Sequence, residues 1–70
     1  MERMSLLNAL ERLCGVGEVG FTLIGITDDG TRMECTLEDT IRHFDLSIPV
    51  AMESSDDAIV VYFGHLEFLD

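Results

Sequence analysis

Residues 58–63 read Ala-Ile-Val-Val-Tyr-Phe, six apolar residues in a row. The run is too short for a buried helix, and it is rich in β-branched and aromatic side chains. It is bounded by Ser54-Ser55-Asp56-Asp57 on one side and by Gly64, a bulge or bend signal, on the other. Length, composition and punctuation together predict a β-strand. The strand does not alternate, so both of its faces are apolar, and such a strand sits in the middle of a sheet with cover on each side. A chain of 70 residues has only just enough core to supply that cover. Two other segments carry helical periodicity, and both are expected on one face. The second face is then left for the sheet to curl over, or for a partner or another copy of the chain.

The remaining elements follow from periodicity and turn chemistry. Ser5 is placed to cap a first helix with Leu6, Leu7, Leu10, Leu13 and Cys14 on one stripe, ended by Gly15 and Gly17. A strand is expected over 19–27 and its hairpin partner over 31–36. Thr36-Leu37-Glu38-Asp39 is a capping pattern that opens a second helix, with Leu37, Ile41 and Phe44 at helical spacing. Ile48-Pro49 forbids its continuation. Val50-Ala51-Met52-Glu53 reads as a strand, joined to the apolar run by the Ser54–Asp57 turn, and Gly64 marks a bulge or a bend before the last stretch, His65-Leu66-Glu67-Phe68-Leu69. The order is α-β-β-α-β-β. The expected class is α+β: a single small domain over residues 1–70 with a mostly antiparallel sheet packed by two helices.

Ile26-Thr27-Asp28-Asp29-Gly30-Thr31-Arg32-Met33-Glu34-Cys35 raises a choice between a metal loop and a turn. An EF-hand loop alternates oxygen ligands, with glycine sixth and a bidentate glutamate twelfth. Here two aspartates are adjacent and glycine follows at once, so the pattern fails at its second ligand. Asp-Gly is a strong two-residue hairpin signal. With Asp29-Gly30 as the loop, Ile26 faces Met33 and Ile24 faces Cys35, giving one apolar face and one mostly polar face.

Charge is the strongest functional signal. The chain has 14 acidic and 4 basic residues, a net of −10, and every basic residue is an arginine: Arg3, Arg12, Arg32 and Arg42. Residues 1–35 carry a net of −3 and residues 36–70 a net of −7. A hydrophobic fraction of 47% and a mean hydropathy of +0.26 argue against a disordered acidic tail. Such charge opposes direct binding to DNA or RNA, which needs cations to neutralise phosphates. It favours a positively charged partner. Three readings of the charge compete: solubility, adaptation to a salt-rich cytoplasm, and mimicry of a nucleic-acid polyanion. The partner-binding candidates are Asp28, Asp29, Glu38, Asp39, Asp45, Glu53, Asp56 and Asp57. Asp56 and Asp57 rank first, because turn and capping roles account for the acids at the hairpin tip and at the helix start.

A very short, lysine-free, acidic α+β chain without an enzyme motif resembles phage-encoded anti-CRISPR proteins and other phage DNA-mimic inhibitors. The resemblance rests on Asp28-Asp29, Glu38-Asp39 and Asp56-Asp57. It covers the whole chain in size and charge and includes no shared sequence motif. It implies an inhibitor that occupies the basic nucleic-acid channel of a CRISPR effector or nuclease, in the cytoplasm of an infected host. The alternative is a small regulatory or adaptor subunit of the antitoxin or immunity type, whose acidic face is incidental. The expected state is a monomer, with the apolar sheet face as the route to a dimer.

Other classes find little in the residues. There is no apolar run of the ~18 residues that a membrane span requires, and no basic-then-apolar N-terminal segment of the secretory kind. Cys14 and Cys35 are expected to be reduced, buried thiols, with a disulfide between them as the alternative. Paired with His43 or His65 they would need a nucleophile signature for catalysis, or close ligand spacing for zinc, and have neither. The chain is therefore expected to be non-enzymatic, with no cofactor and no metal.

Overall fold

The computed structural model describes residues 1–15 and 20–69. Its elements are β1 (Glu2–Ser5), α1 (Leu6–Gly15), β2 (Gly20–Ile26), β3 (Arg32–Cys35), α2 (Leu37–His43), β4 (Pro49–Ser54), β5 (Ala58–Gly64) and a 3-10 turn, η1 (Leu66–Leu69). The five strands form one sheet in the order β1-β4-β5-β2-β3. β1–β4, β4–β5 and β2–β3 are antiparallel, and β2–β5 is parallel. The α+β class, the two helices and the mostly antiparallel sheet agree with the sequence reading. β1 was not anticipated; its four residues carry no strand pattern and are held by pairing with β4. Gly17, expected to help end the first helix, lies outside the described residues.

The apolar run is the middle strand, as its two-faced composition demands. Ile59, Val61 and Phe63 point to the helix side, where they join Leu6, Ala9, Leu23, Val50 and Met52 in the main core. On the opposite face, Ile26, Ala51 and Leu66 form a second, smaller cluster against Tyr62 and Leu69. The chain's own η1 therefore closes one end of the second face. Gly64 makes this possible: at φ +94 it turns the chain back over the sheet, and His65 N–H donates to Ile26 O at 3.1 Å. Arg32 adds to the cover, its guanidinium carbon 5.5 Å from the centre of the Tyr62 ring.

Three sequence expectations are corrected in the packing. The hairpin register is shifted by one residue: Ile26 pairs with Arg32, Gly25 with Met33 and Leu23 with Cys35. The loop has three residues, not two. Thr27 N–H donates to Thr31 O at 2.9 Å and Gly30 N–H to Thr27 O at 3.0 Å. Within the loop only Gly30 has positive φ, at +88, so the two-residue turn that needs positive φ at both positions is not formed, and a turn followed by a left-handed glycine takes its place. A one-residue slip exchanges the faces of the partner strand, which puts Met33 and Cys35 on the helix side and Arg32 and Glu34 opposite.

The helix stripes are also displaced. In α1 the fully buried residues are Leu6 and Ala9, while Leu7 is 45% exposed and Cys14 is exposed rather than buried. Cys35 is half-buried, and both cysteines are free thiols. In α2 the only buried residue is Thr40. Leu37, Ile41 and Phe44, expected to face inward, are 39%, 50% and 42% exposed. A seven-residue helix is two turns long, and α2 is tethered by Thr40 and by the edge-on contact of Phe44 with Phe63, ring centres 5.0 Å apart. That rotation turns the Leu37–Ile41 side toward the space between the helices.

Candidate protein-interaction surface

The helix caps come directly from the sequence. Ser5 Oγ accepts from Asn8 N–H at 3.2 Å, and the next two amides of α1 donate to the loop ahead of β4: Leu6 N–H to Ile48 O and Leu7 N–H to Leu46 O, both 2.9 Å. These bonds satisfy donors that a helix start leaves unpaired. Thr36 caps α2 by accepting from Asp39 N–H at 3.1 Å. The bond uses the Asp39 backbone; its carboxylate makes no hydrogen bond or ion pair among the described residues.

All eight candidate acids are exposed, but the fold does not gather them into one cluster. Asp28 and Asp29 lie at the β2–β3 hairpin tip, where β5 ends. Asp56 and Asp57 lie in the β4–β5 turn, where β5 begins. The two pairs are separated by the length of a seven-residue strand, ~23 Å at ~3.3 Å per residue. Glu38 and Asp39 open α2 on the helix side, Asp45 sits in the loop after it, and Glu53 stands near the end of β4 beside the second sheet face.

Local bonding separates structural acids from idle ones. The Asp29 carboxylate accepts from the Thr27 hydroxyl and from Thr31 N–H at 3.1 Å. These bonds, the Thr27 hydroxyl first, hold its pKa down at about 2. Asp45 accepts from both the backbone N–H and the hydroxyl of Ser47 at 2.9 Å, and its pKa is lowered, the backbone bond first. Glu38 is paired with Arg42 at 2.6 Å. In the β4–β5 turn the bonds run from Ser55 N–H and Ser55 Oγ to Ala58 O, at 2.9 and 3.1 Å. They bypass Asp56 and Asp57, which have no partner among the described residues. Three of the four arginines are engaged by visible neighbours: Arg12 with Glu2 at 2.7 Å, Arg42 with Glu38, and Arg32 over Tyr62. His65 Nδ1 is 3.0 Å from Glu67 Oε1. No group of three or more His, Cys, Asp or Glu side chains suited to a metal ion occurs among the described residues, and no described helix is long and apolar enough to cross a membrane.

The sequence reading missed the apolar part of the surface. It placed the exposed hydrophobic face on the strand Ala58–Phe63, yet several of the large exposed apolar side chains, Phe21, Met33, Leu37, Ile41 and Phe44, lie on the helix side, with Phe68 of η1 apart from them. Phe21 is 43% exposed, beside Leu37 and Ile41, and with Leu10, Leu13 and Cys14 these line a groove of about 280 Å³ between α1 and α2. On the other flank of α2, Phe44 and Met33 border a cleft of about 350 Å³ that reaches Gly25, Phe63 and His65. The available signal was Thr40, a residue able to tie its hydroxyl to a helical carbonyl and so to serve as the inward position of a very short helix.

No protein-family model, curated protein or solved structure matches the chain.

Proposed function

We propose that the protein is a non-enzymatic inhibitor that binds the basic nucleic-acid-binding surface of another protein and excludes DNA or RNA from it. The observation that carries this reading is the net charge of −10 without a lysine, displayed by carboxylates at both ends of the sheet while visible partners occupy most of the arginines. Duplex DNA carries a charge every ~3.4 Å along each strand. Acids spread over ~23 Å of strand length have the reach of several consecutive phosphates, which suits an extended basic channel better than a single anion site. Opposite charge also steers the encounter and speeds association. CRISPR effectors and nucleases are the partner class that the resemblance implies.

The test is a pull-down with the tagged protein from a lysate containing CRISPR effectors and nucleases, followed by elution with excess duplex DNA. The expected result is a captured nucleic-acid-binding protein that duplex DNA releases. Capture of a partner that excess DNA leaves bound would refute mimicry and favour the adaptor reading, which the exposed apolar residues of α2 support.

A further inference from the structure

We infer that β3 is a dimer edge: it pairs antiparallel with β3 of a second copy of the chain, about a two-fold axis centred on Met33, and joins the two five-stranded sheets into one. The inference goes beyond the proposed function and does not rest on it.

β3 ends the strand order, so one side of it has no strand partner. The hairpin fixes which backbone groups that side presents. Thr27 N–H donates to Thr31 O across the loop, and Ile26 O is turned to the β5 side, where it accepts from His65 N–H. Bonded and non-bonded pairs alternate along an antiparallel ladder. With Thr27 and Thr31 bonded, Ile26–Arg32 and Ile24–Glu34 are non-bonded pairs. Arg32 and Glu34 therefore aim their N–H and C=O groups outward, while Met33 and Cys35 spend theirs on β2. Such an edge is a template for another strand. Its Met33 is 56% exposed, a large apolar side chain on an open edge.

Charge selects the register. The outward groups of two copies can meet with Arg32 against Arg32, with Glu34 against Glu34, or with Arg32 against Glu34. The first two oppose like charges, which destabilises a cross-strand pair. The last opposes unlike charges on both sides of the axis and gives every outward N–H and C=O of Arg32 and Glu34 a partner. It also sets Met33 against its own copy at the non-bonded position, where side chains stand closest. Arg32 and Glu34 have no ion pair among the described residues, and the Tyr62 ring takes only one face of the Arg32 guanidinium. Met33 lies on the helix side, beside the cleft of about 350 Å³ that it borders with Phe44 and Phe63. Pairing there removes apolar surface from water on both copies.

Net charge sets the conditions. Each copy carries −10, and this register brings the hairpin-tip acids Asp28 and Asp29 of one copy toward the start of α2, with Glu38 and Asp39, in the other. Salt screens that repulsion, and the backbone bonds and the Met33 contact do not depend on it. The dimer therefore tightens as salt rises, the reverse of acids held against a basic partner. The route to a dimer is the edge of the sheet and not its apolar face.

Sedimentation velocity over a dilution series, at low and at moderate salt, compares wild type with Glu34→Arg, with Arg32→Glu and with the double exchange Arg32→Glu/Glu34→Arg. Thermal melts check that each variant, changed only at exposed positions, is folded. Wild type is expected to dimerise, and more tightly at moderate salt. Each single reversal sets like charges against each other on both sides of the axis and is expected to weaken the dimer at least about tenfold. The double exchange restores unlike pairs and is expected to restore the dimer. Amide exchange at Arg32 and Glu34 is expected to slow as protein concentration rises. A wild type that stays monomeric at every concentration and at both salts would overturn the edge. So would a dimer that keeps its affinity in both single reversals, or one that the folded double exchange fails to restore. Concentration-dependent amide shifts at Val60 and Tyr62 in place of Arg32 and Glu34 would assign the dimer to the sheet face and overturn it as well.

Discussion

Replacing Gly64 with alanine tests the closure of the second sheet face. At φ +94 the backbone is in a region that L-residues rarely adopt, which costs ~1–2 kcal/mol. A Cβ at this position would also stand 2.5 Å from the Ile26 carbonyl oxygen, well inside contact distance. The clash cannot be relieved cheaply, because that oxygen accepts the His65 N–H that holds η1 over the sheet. Moving it gives up a hydrogen bond worth ~1 kcal/mol. The sum is about 2–3 kcal/mol, against a total stability of ~4–10 kcal/mol for a domain of this size. In thermal melts the midpoint should fall by ~10–20 °C, and in urea it should fall at unchanged slope. Tyr62, the only tyrosine in the chain, lies against the small cluster that η1 completes and should lose near-UV ellipticity. Gly20→Ala is the control: a Cβ there has no atom of the described residues within 4 Å, and the change should be neutral or gain up to ~1 kcal/mol. A Gly64→Ala protein within ~0.5 kcal/mol of wild type would refute the argument and show that the turn into η1 is not pinned by Ile26.

Asp29 should make stability sensitive to acid. Its folded-state pKa of about 2 lies below the unfolded value of about 4, so its contribution is complete above pH ~4 and is lost as pH falls toward 2; melts over this range should show a smaller acid loss for Asp29→Asn than for wild type, and parallel losses would remove the hairpin tip as the cause. Thr40→Val deletes the 2.8 Å bond from the Thr40 hydroxyl to Thr36 O at a site 1% exposed and should cost ~1 kcal/mol by urea titration; no loss would mean that shape alone seats α2. Exchanging Asp56 and Asp57 together for asparagine should leave the melting temperature within ~2 °C of wild type while weakening binding to the captured partner, and unchanged affinity would make them solvated turn residues only. Raising salt should stabilise the isolated fold by screening its self-repulsion and weaken the complex; affinity that holds steady with salt would assign the interface to its apolar part.

How much of this was legible depended on whether neighbours in sequence decided the outcome. Ser5, Thr36, Pro49, Gly30 and Gly64 act through their own backbone or the next few residues, and the turns and caps they announce are present. The strand Ala58–Phe63 was legible because its composition fits only a sheet interior. Harder to see was β1: Glu2–Ser5 has no strand pattern, and pairing with a distant strand creates it. The hairpin register turned on a single φ. Asp29-Gly30 allows a two-residue loop, and the Thr27 and Thr31 bonds to the Asp29 carboxylate favour the three-residue one. For α2, hydrophobic periodicity predicted the stripe but not the rotation, because a two-turn helix is oriented by whichever residue is tethered, here Thr40. The acidic candidates were legible as a composition; their division into bonded and idle carboxylates depends on contacts that the sequence does not display.

The place of β5 bears on how the protein comes to be folded at all. β1 with β4 and β2 with β3 make two separate pairs, and β5 is the seam that joins them. It is also the last of the five described strands in sequence order. Until residue 64 is made, the inner edges of β4 and β2 have no partner, and each bears apolar side chains. A nascent or stalled chain ending before the seam is therefore a two-edged template for pairing with other chains. The parallel β2–β5 contact spans much of the sequence, so folding should be slow for so small a chain, on the scale of milliseconds or longer, and completed in one step when the seam closes.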